Sequence, residues 1–186
     1  MDQILQQVRD FADKAHGDQM RKYGPPARYI VHPERVMKLT RQVTNDPTIL
    51  SAALLHDVLE DTSTTEDEIK DFLQTLMSPS NADRTLQLVK DLTDVYTKEN
   101  YPQWNRRKRR SKEAERLANA DPDAQTIKYG DIIDNCPEII KEDPDFGHRY
   151  ISECRELLIK LKKGNPLLRQ QAMATVEKAH EQLQQQ

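Results

Sequence analysis

Apolar residues in this chain recur at helical spacing. Ile4, Leu5, Val8, Phe11, Ala12 and Ala15 form one stripe, and Leu167, Leu168, Ala172, Val176, Ala179 and Leu183 form another. Three- and four-residue intervals turn such residues to one side of an α-helix. With only 5 glycines, the chain also lacks the turn residues that a many-stranded sheet protein needs. The expectation is an all-α helical bundle. At 186 residues it should form a single domain with a substantial core, spanning 1–186.

Composition narrows the partners. A net charge of −3 gives no general electrostatic case for nucleic acid or an anionic membrane. The first ten residues carry neither the basic start nor the apolar core of a signal peptide. No apolar run approaches the ~18 residues that read as a membrane span. Cys136 and Cys154 form no metal-spaced pair and read as packed thiols of a reduced chain. The expected setting is soluble and cytoplasmic, with the Gln-rich tail at 184–186 disordered.

In chain order, a first helix covers 2–16 and stops at His16, before the capping Gly17. His16 reads as structural. A loop follows in which Gly24-Pro25-Pro26 forbids helix, and it delivers His32 immediately before Pro33. Helices are expected at about 33–44, 66–77 and 82–96, the second opened by the capping box Thr65-x-x-Glu68. Residues 97–104 look irregular. Arg106 to Lys112 then places six cations in seven positions, too many for one solvated face. They read either as a surface paired with Glu113 and Glu115 or as a wall facing an anion. A helix over 121–135 carries Asp131 between Gly130 and Ile132, and helices at 146–163 and 166–184 close the chain. His148 and His180 read as surface or structural residues.

The most informative stretch is Ile49 to Asp61, apolar at first and then His56-Asp57-Val58-Leu59-Glu60-Asp61. As one continuous helix it sets His56 four residues from Glu60 and Asp57 four from Asp61. Carboxylates at its C-terminal end oppose the helix dipole, which a bound cation would offset. His32, His56, Asp57 and Asp131 together make a mixed nitrogen and oxygen ligand set. Such a set, unlike a thiolate-rich zinc site, suits a hard-to-borderline divalent ion such as Mn²⁺. Glu60 and Asp61 stand one turn on, placed to orient or deprotonate water or to protonate a leaving group.

These pieces form an ordered series: Arg21-Lys22-x-Gly24, Tyr29-Ile30-x-His32-Pro33, Ala53-Leu54-Leu55-His56-Asp57-Val58-x-Glu60-Asp61-Thr62, Leu92-Thr93 and Lys128-x-x-Asp131-x-x-x-Asn135. The series resembles the HD-domain hydrolases, in particular the hydrolase domain of RelA/SpoT-type enzymes and the small alarmone hydrolases. The resemblance implies an all-α HD-domain bundle with its motif-bearing core at 16–140 and C-terminal helices at 146–184. It implies Mn²⁺ held by His32, His56, Asp57 and Asp131, with Glu60 and Asp61 as catalytic carboxylates. It further implies that Arg21, Lys22 and Asn135 contact a small-molecule nucleotide. The family reaction removes pyrophosphate from the ribose 3′ position of (p)ppGpp, leaving GDP or GTP. A chain of this length lacks room for the synthetase domain of the long enzymes, so degradation alone is expected.

Departures from the family pattern leave alternatives. The usual Lys-Leu-Ala-Asp-Arg-Leu-His-Asn is here Lys128-Tyr129-Gly130-Asp131-Ile132-Ile133-Asp134-Asn135, and Tyr23 stands between Lys22 and Gly24. Those changes bear on base selectivity. The rivals are an adenosine 3′-pyrophosphate or the 2′-phosphate of NADPH as substrate, and a non-enzymatic antitoxin-like binding module.

Overall fold

The structure is a computed structural model that describes residues 3–185. Among them are ten helices and an isolated β-bridge, so the architecture is all-α. Asp2 at the expected start of the first helix and Gln186 at the end of the tail lie outside the described residues. The chain divides into two compact units, Met1–Thr93 and Asp94–Gln186.

The first unit holds α1 (Gln3–His16), α2 (Val31–Arg41), α3 (Pro47–Leu55), α4 (Val58–Asp61), α5 (Glu66–Gln74) and α6 (Pro79–Leu92). Helix α3 is its centre and packs against α1, α2 and α6. Every residue from Thr48 to Leu55 is buried, because neighbours cover the helix on all sides. Asp46 caps it, accepting from Thr48 N at 2.8 Å, with Pro47 next in line. Phe11 and Phe72 stack at 4.2 Å between ring centroids, tying α1 to α5. The expected capping box is present: Thr65 Oγ1 accepts from Glu68 N at 3.3 Å, while Glu68 accepts from Thr65 N at 2.8 Å.

The second unit holds α7 (Arg106–Asn119), α8 (Pro122–Glu142), α9 (Pro144–Lys160) and α10 (Pro166–Gln184). Helix α8 packs on α9 and α10, and α9 contacts α7. It runs beyond the expected end near 135, through Pro137. A mid-helix proline removes one hydrogen bond, at a cost of ~3 kcal/mol or more. The buried stripe nevertheless continues through Cys136, Ile139 and Ile140, and Pro137 itself faces outward. Helix α10 extends to Gln184, so the expected disorder does not include that residue. Both cysteines are free and buried. A hydrogen bond with Cys154, together with burial, pushes the Cys136 thiol up, as for an unreactive packed thiol.

Candidate functional site

The thirteen-residue helix expected over Ile49–Asp61 is broken. Helix α3 ends at Leu55, His56 and Asp57 form a turn, and α4 contains four residues. A single turn has no appreciable macrodipole, so no helix dipole opposes Glu60 and Asp61. The break does something else: it sets two ligand-type side chains at a corner of the buried helix α3.

His56 is 3% exposed, and its Nδ1 lies 2.8 Å from Ala53 O. A carbonyl only accepts, so Nδ1 bears a proton and donates, which leaves Nε2 as the ring atom turned toward the site. That Nε2 lies 3.0 Å from Asp57 Oδ2. His32, in the first turn of α2 and 1% exposed, brings its own Nε2 to 3.6 Å from the same oxygen. The two imidazoles meet edge to face at 5.1 Å. Tyr29 donates its hydroxyl to Asp57 Oδ2 at 2.6 Å. An imidazole lone pair facing a carboxylate is repulsive until positive charge enters between them. Two nitrogens and a carboxylate oxygen are the donors a divalent cation takes, and these three ligand atoms lie within 4.8 Å of one another.

Glu60 and Asp61 follow on α4, both exposed to solvent. Asp61 N donates to Asp57 O at 2.9 Å, and Gln19 Nε2 reaches Asp61 Oδ2 at 3.5 Å. Arg21 and Lys22 lie on the arm between α1 and α2. That arm folds back on itself through the Met20–Arg28 bridge, Arg21 N to Ala27 O at 2.9 Å and Tyr29 N to Gln19 O at 2.9 Å. Gly24 at the turn has φ +91°, a conformation that side chains strain to adopt. Arg28 anchors the arm to α1, pairing with Asp13 at 3.0 Å. Lys22 Nζ sits over the Tyr23 ring at 4.7 Å.

In the second unit, Asp131 is buried on α8 between neighbours from its own helix. Lys128 Nζ lies 2.6 Å from Asp131 Oδ2, and Asn135 Nδ2 donates to Oδ1 at 2.6 Å. The motif Lys-x-x-Asp-x-x-x-Asn is thus one hydrogen-bonded ladder along a helix face. Tyr129, one of the departures, has another task. It is fully buried and gives its hydroxyl to Leu161 O at 3.0 Å, filling core space beside Gly164. Ile132 is also core, at 1% exposure.

The basic run is largely occupied within its own unit. Arg106 forks onto Glu153 at 2.6 and 2.7 Å, Arg110 pairs with Asp94 at 2.7 Å, and Lys112 with Glu115 at 2.8 Å. Glu113, expected as a partner of the run, instead pairs with Arg116 and accepts from the backbone N–H of Val95 and Tyr96, each at 3.1 Å.

Tyr29 and Gln19 went unrecognised in the sequence as neighbours of the site carboxylates. The available signal was position: Tyr29 stands three residues before His32, and loop tyrosines commonly pair when half-buried. His16 is buried, and its ring lies against Tyr29 at 4.5 Å, tilted by 36°.

A model of the HD domain matches residues 29–136. The chain belongs to the HD-domain family of metal-dependent phosphohydrolases. The guanosine-3′,5′-bis(diphosphate) 3′-pyrophosphohydrolase of Aquifex aeolicus is 35% identical over 137 residues, which are 70% of this HD-domain chain and 17% of that protein. The human guanosine-3′,5′-bis(diphosphate) 3′-pyrophosphohydrolase MESH1 is 29% identical over 163 residues, 86% of this chain and 83% of that one. The chain therefore spans a small part of the first relative and most of the second. Among solved structures, a metazoan ortholog of SpoT that hydrolyses ppGpp shares the fold with a TM-score of 0.78 at 20% identity, covering 96% of each chain. A Listeria monocytogenes protein shares it with a TM-score of 0.62 at 17% identity, over 87% of this chain and 99% of its own.

Proposed function

We propose that this HD-domain chain is a Mn²⁺-dependent guanosine-3′,5′-bis(diphosphate) 3′-pyrophosphohydrolase, converting (p)ppGpp to GDP or GTP and pyrophosphate. The observation that carries the reading is the convergence of the His32 and His56 Nε2 atoms on Asp57 Oδ2. The relatives' activity names support the substrate. We assign His32, His56, Asp57 and Asp131 as the metal ligands. The matched residues 29–136 run through both units, in keeping with one HD hydrolase domain over the chain.

When bound, the cation supplies Lewis acidity at a phosphoryl oxygen and acidifies water. The remaining work falls to the chain. Glu60 and Asp61, solvent-facing and next to the ligand corner, orient water and take its proton, and one of them returns a proton to the departing 3′ oxygen. Arg21 and Lys22 meet phosphate charge and the base from their stiff arm, and Asn135 contacts the nucleotide from α8. Burial of the two imidazoles keeps their orientation fixed through each turnover. The free, buried thiols fit a cytoplasmic setting, and among the described residues no helix is long and apolar enough to cross a membrane.

The test is pyrophosphate release from ppGpp with Mn²⁺, comparing the wild type with Glu60→Ala. Fast release by the wild type and a loss of at least about 100-fold in the variant are expected for a general acid–base residue. Cleavage of an adenine nucleotide alone would move the substrate assignment. No turnover of either, with intact partner binding, would favour a binding module.

A further inference from the structure

Tyr29 makes a short contact to the ligand corner, and nothing in the proposed chemistry uses it. Its hydroxyl lies 2.6 Å from Asp57 Oδ2, the length of a charge-assisted bond from a phenol to a carboxylate. The ring is fixed from three sides. His16 lies against it at 4.5 Å, tilted by 36°, His32 meets it edge on at 5.9 Å, and its backbone N–H is held by Gln19 O at 2.9 Å.

His16 itself has no other evident task. Its Nδ1 donates to Gln19 Oε1 at 2.9 Å, whereas its Nε2 is buried without a hydrogen-bond partner among the described residues. A buried ring nitrogen left unsatisfied carries a stability cost, and such groups call for an explanation. The use visible here is the ring face, which backs Tyr29.

We infer that Tyr29, braced by His16, is a positioning residue that fixes the Asp57 carboxylate for the divalent cation. The inference rests on the metal reading proposed above. The hydroxyl takes one lone pair of Oδ2 and stops rotation about the Asp57 side chain, so that the oxygen facing His32 and His56 stays in place. Partners of this kind, which hold a ligand without touching the cation, typically change metal affinity 10- to 100-fold when removed.

The experiment is Mn²⁺ binding to the full chain, by calorimetry and by the electron spin resonance of free Mn²⁺, with thermal melts in chelator alongside. Tyr29→Phe keeps the ring and its packing and removes only the donor. The expected result is Mn²⁺ affinity about tenfold weaker, with an unchanged melting temperature. The Mn²⁺ concentration for half-maximal ppGpp hydrolysis should rise by the same factor, and the nucleotide KM should stay put. Tyr29→Leu should weaken Mn²⁺ further and lower the melting temperature as well, separating packing from positioning. Equal Mn²⁺ affinity in wild type and Tyr29→Phe overturns the inference and leaves the hydrolase reading standing. A wild type that binds no Mn²⁺ overturns both.

Discussion

Asp57 and Asp131 are the two carboxylates expected to hold one cation, yet the structure surrounds them differently. Asp57 sits at a helix break and faces two imidazoles and a phenol. Asp131 sits inside a 21-residue helix and faces the ammonium of Lys128 at 2.6 Å and the amide of Asn135. Positive charge near Asp57 is optional, because imidazole is mostly neutral at pH 7. Positive charge near Asp131 is permanent. A carboxylate that faces two imidazoles and a phenol gains no permanent countercharge from those three and is organised for a cation from outside, whereas one with its own lysine already has part of that role filled.

The largest expected effect exploits this contrast. Asp57→Asn should lower Mn²⁺ affinity on the order of 10³-fold, the few kcal/mol that a charged ligand contributes. Asp131→Asn should lower it only about 10- to 100-fold, since the liberated Lys128 already offset part of the Asp131 charge. Both are read by Mn²⁺ titration. Equal losses would break the contrast and mean that Lys128 leaves Asp131 when the cation binds.

The legibility of the two sites differs for related physical reasons. Helical spacing made the architecture readable, and the ligands of the first unit lie within a short span, His32 to Asp57, whose residue types announce metal chemistry. The break after Leu55 was not readable, because Ile49–Asp61 contains neither glycine nor proline to mark a stop, and the modest helix propensities of His56 and Asp57 are too weak a signal to place one. Ile132 misleads for the opposite reason. It lies inside a site motif where the family has a basic residue, so the difference reads as a change of base selectivity, whereas its side chain, like that of Tyr129, belongs to the core. The basic run looked like an anion wall because Glu153 and Asp94, its partners, are remote or on the irregular segment before it.

That core role gives the second prediction, which separates α8 as scaffold from α8 as ligand carrier. A Cβ at Gly164 would lie 2.6 Å from the Tyr129 ring and 2.9 Å from Thr126 N, and the latter is backbone that cannot swing away. Gly164→Ala should therefore destabilise the chain by about 1–3 kcal/mol through overpacking. For a chain of this size the melting temperature should fall by roughly 2–12 °C, at 2–4 °C per kcal/mol. Tyr129→Leu, the family's residue, should recover part of the loss in that background. A Gly164→Ala protein as stable as wild type would mean that α8 shifts easily, and with it Asp131.

The smallest effect concerns a third carboxylate, whose partners are neither imidazole nor lysine alone. Burial raises the pKa of Asp46, but hydrogen bonds from Thr48 and the charge of Arg84 outweigh it, and the net shift is downward. A depressed carboxylate contributes stability that is fully present above its unfolded value of 3.8 and is lost as pH falls through the lower folded value. Asp46 caps the helix that leads to His56, so Asp46→Ala should cost about 1 kcal/mol at neutral pH, the usual worth of an N-cap. Melting curves from pH 7 down to the acid range check the sign. The gap between wild type and Asp46→Ala should be constant at neutral pH and close below 3.8, as wild-type Asp46 takes up its proton. A gap that widened on acidification would mean that Asp46 is destabilising when charged, and that burial rather than the cap governs it.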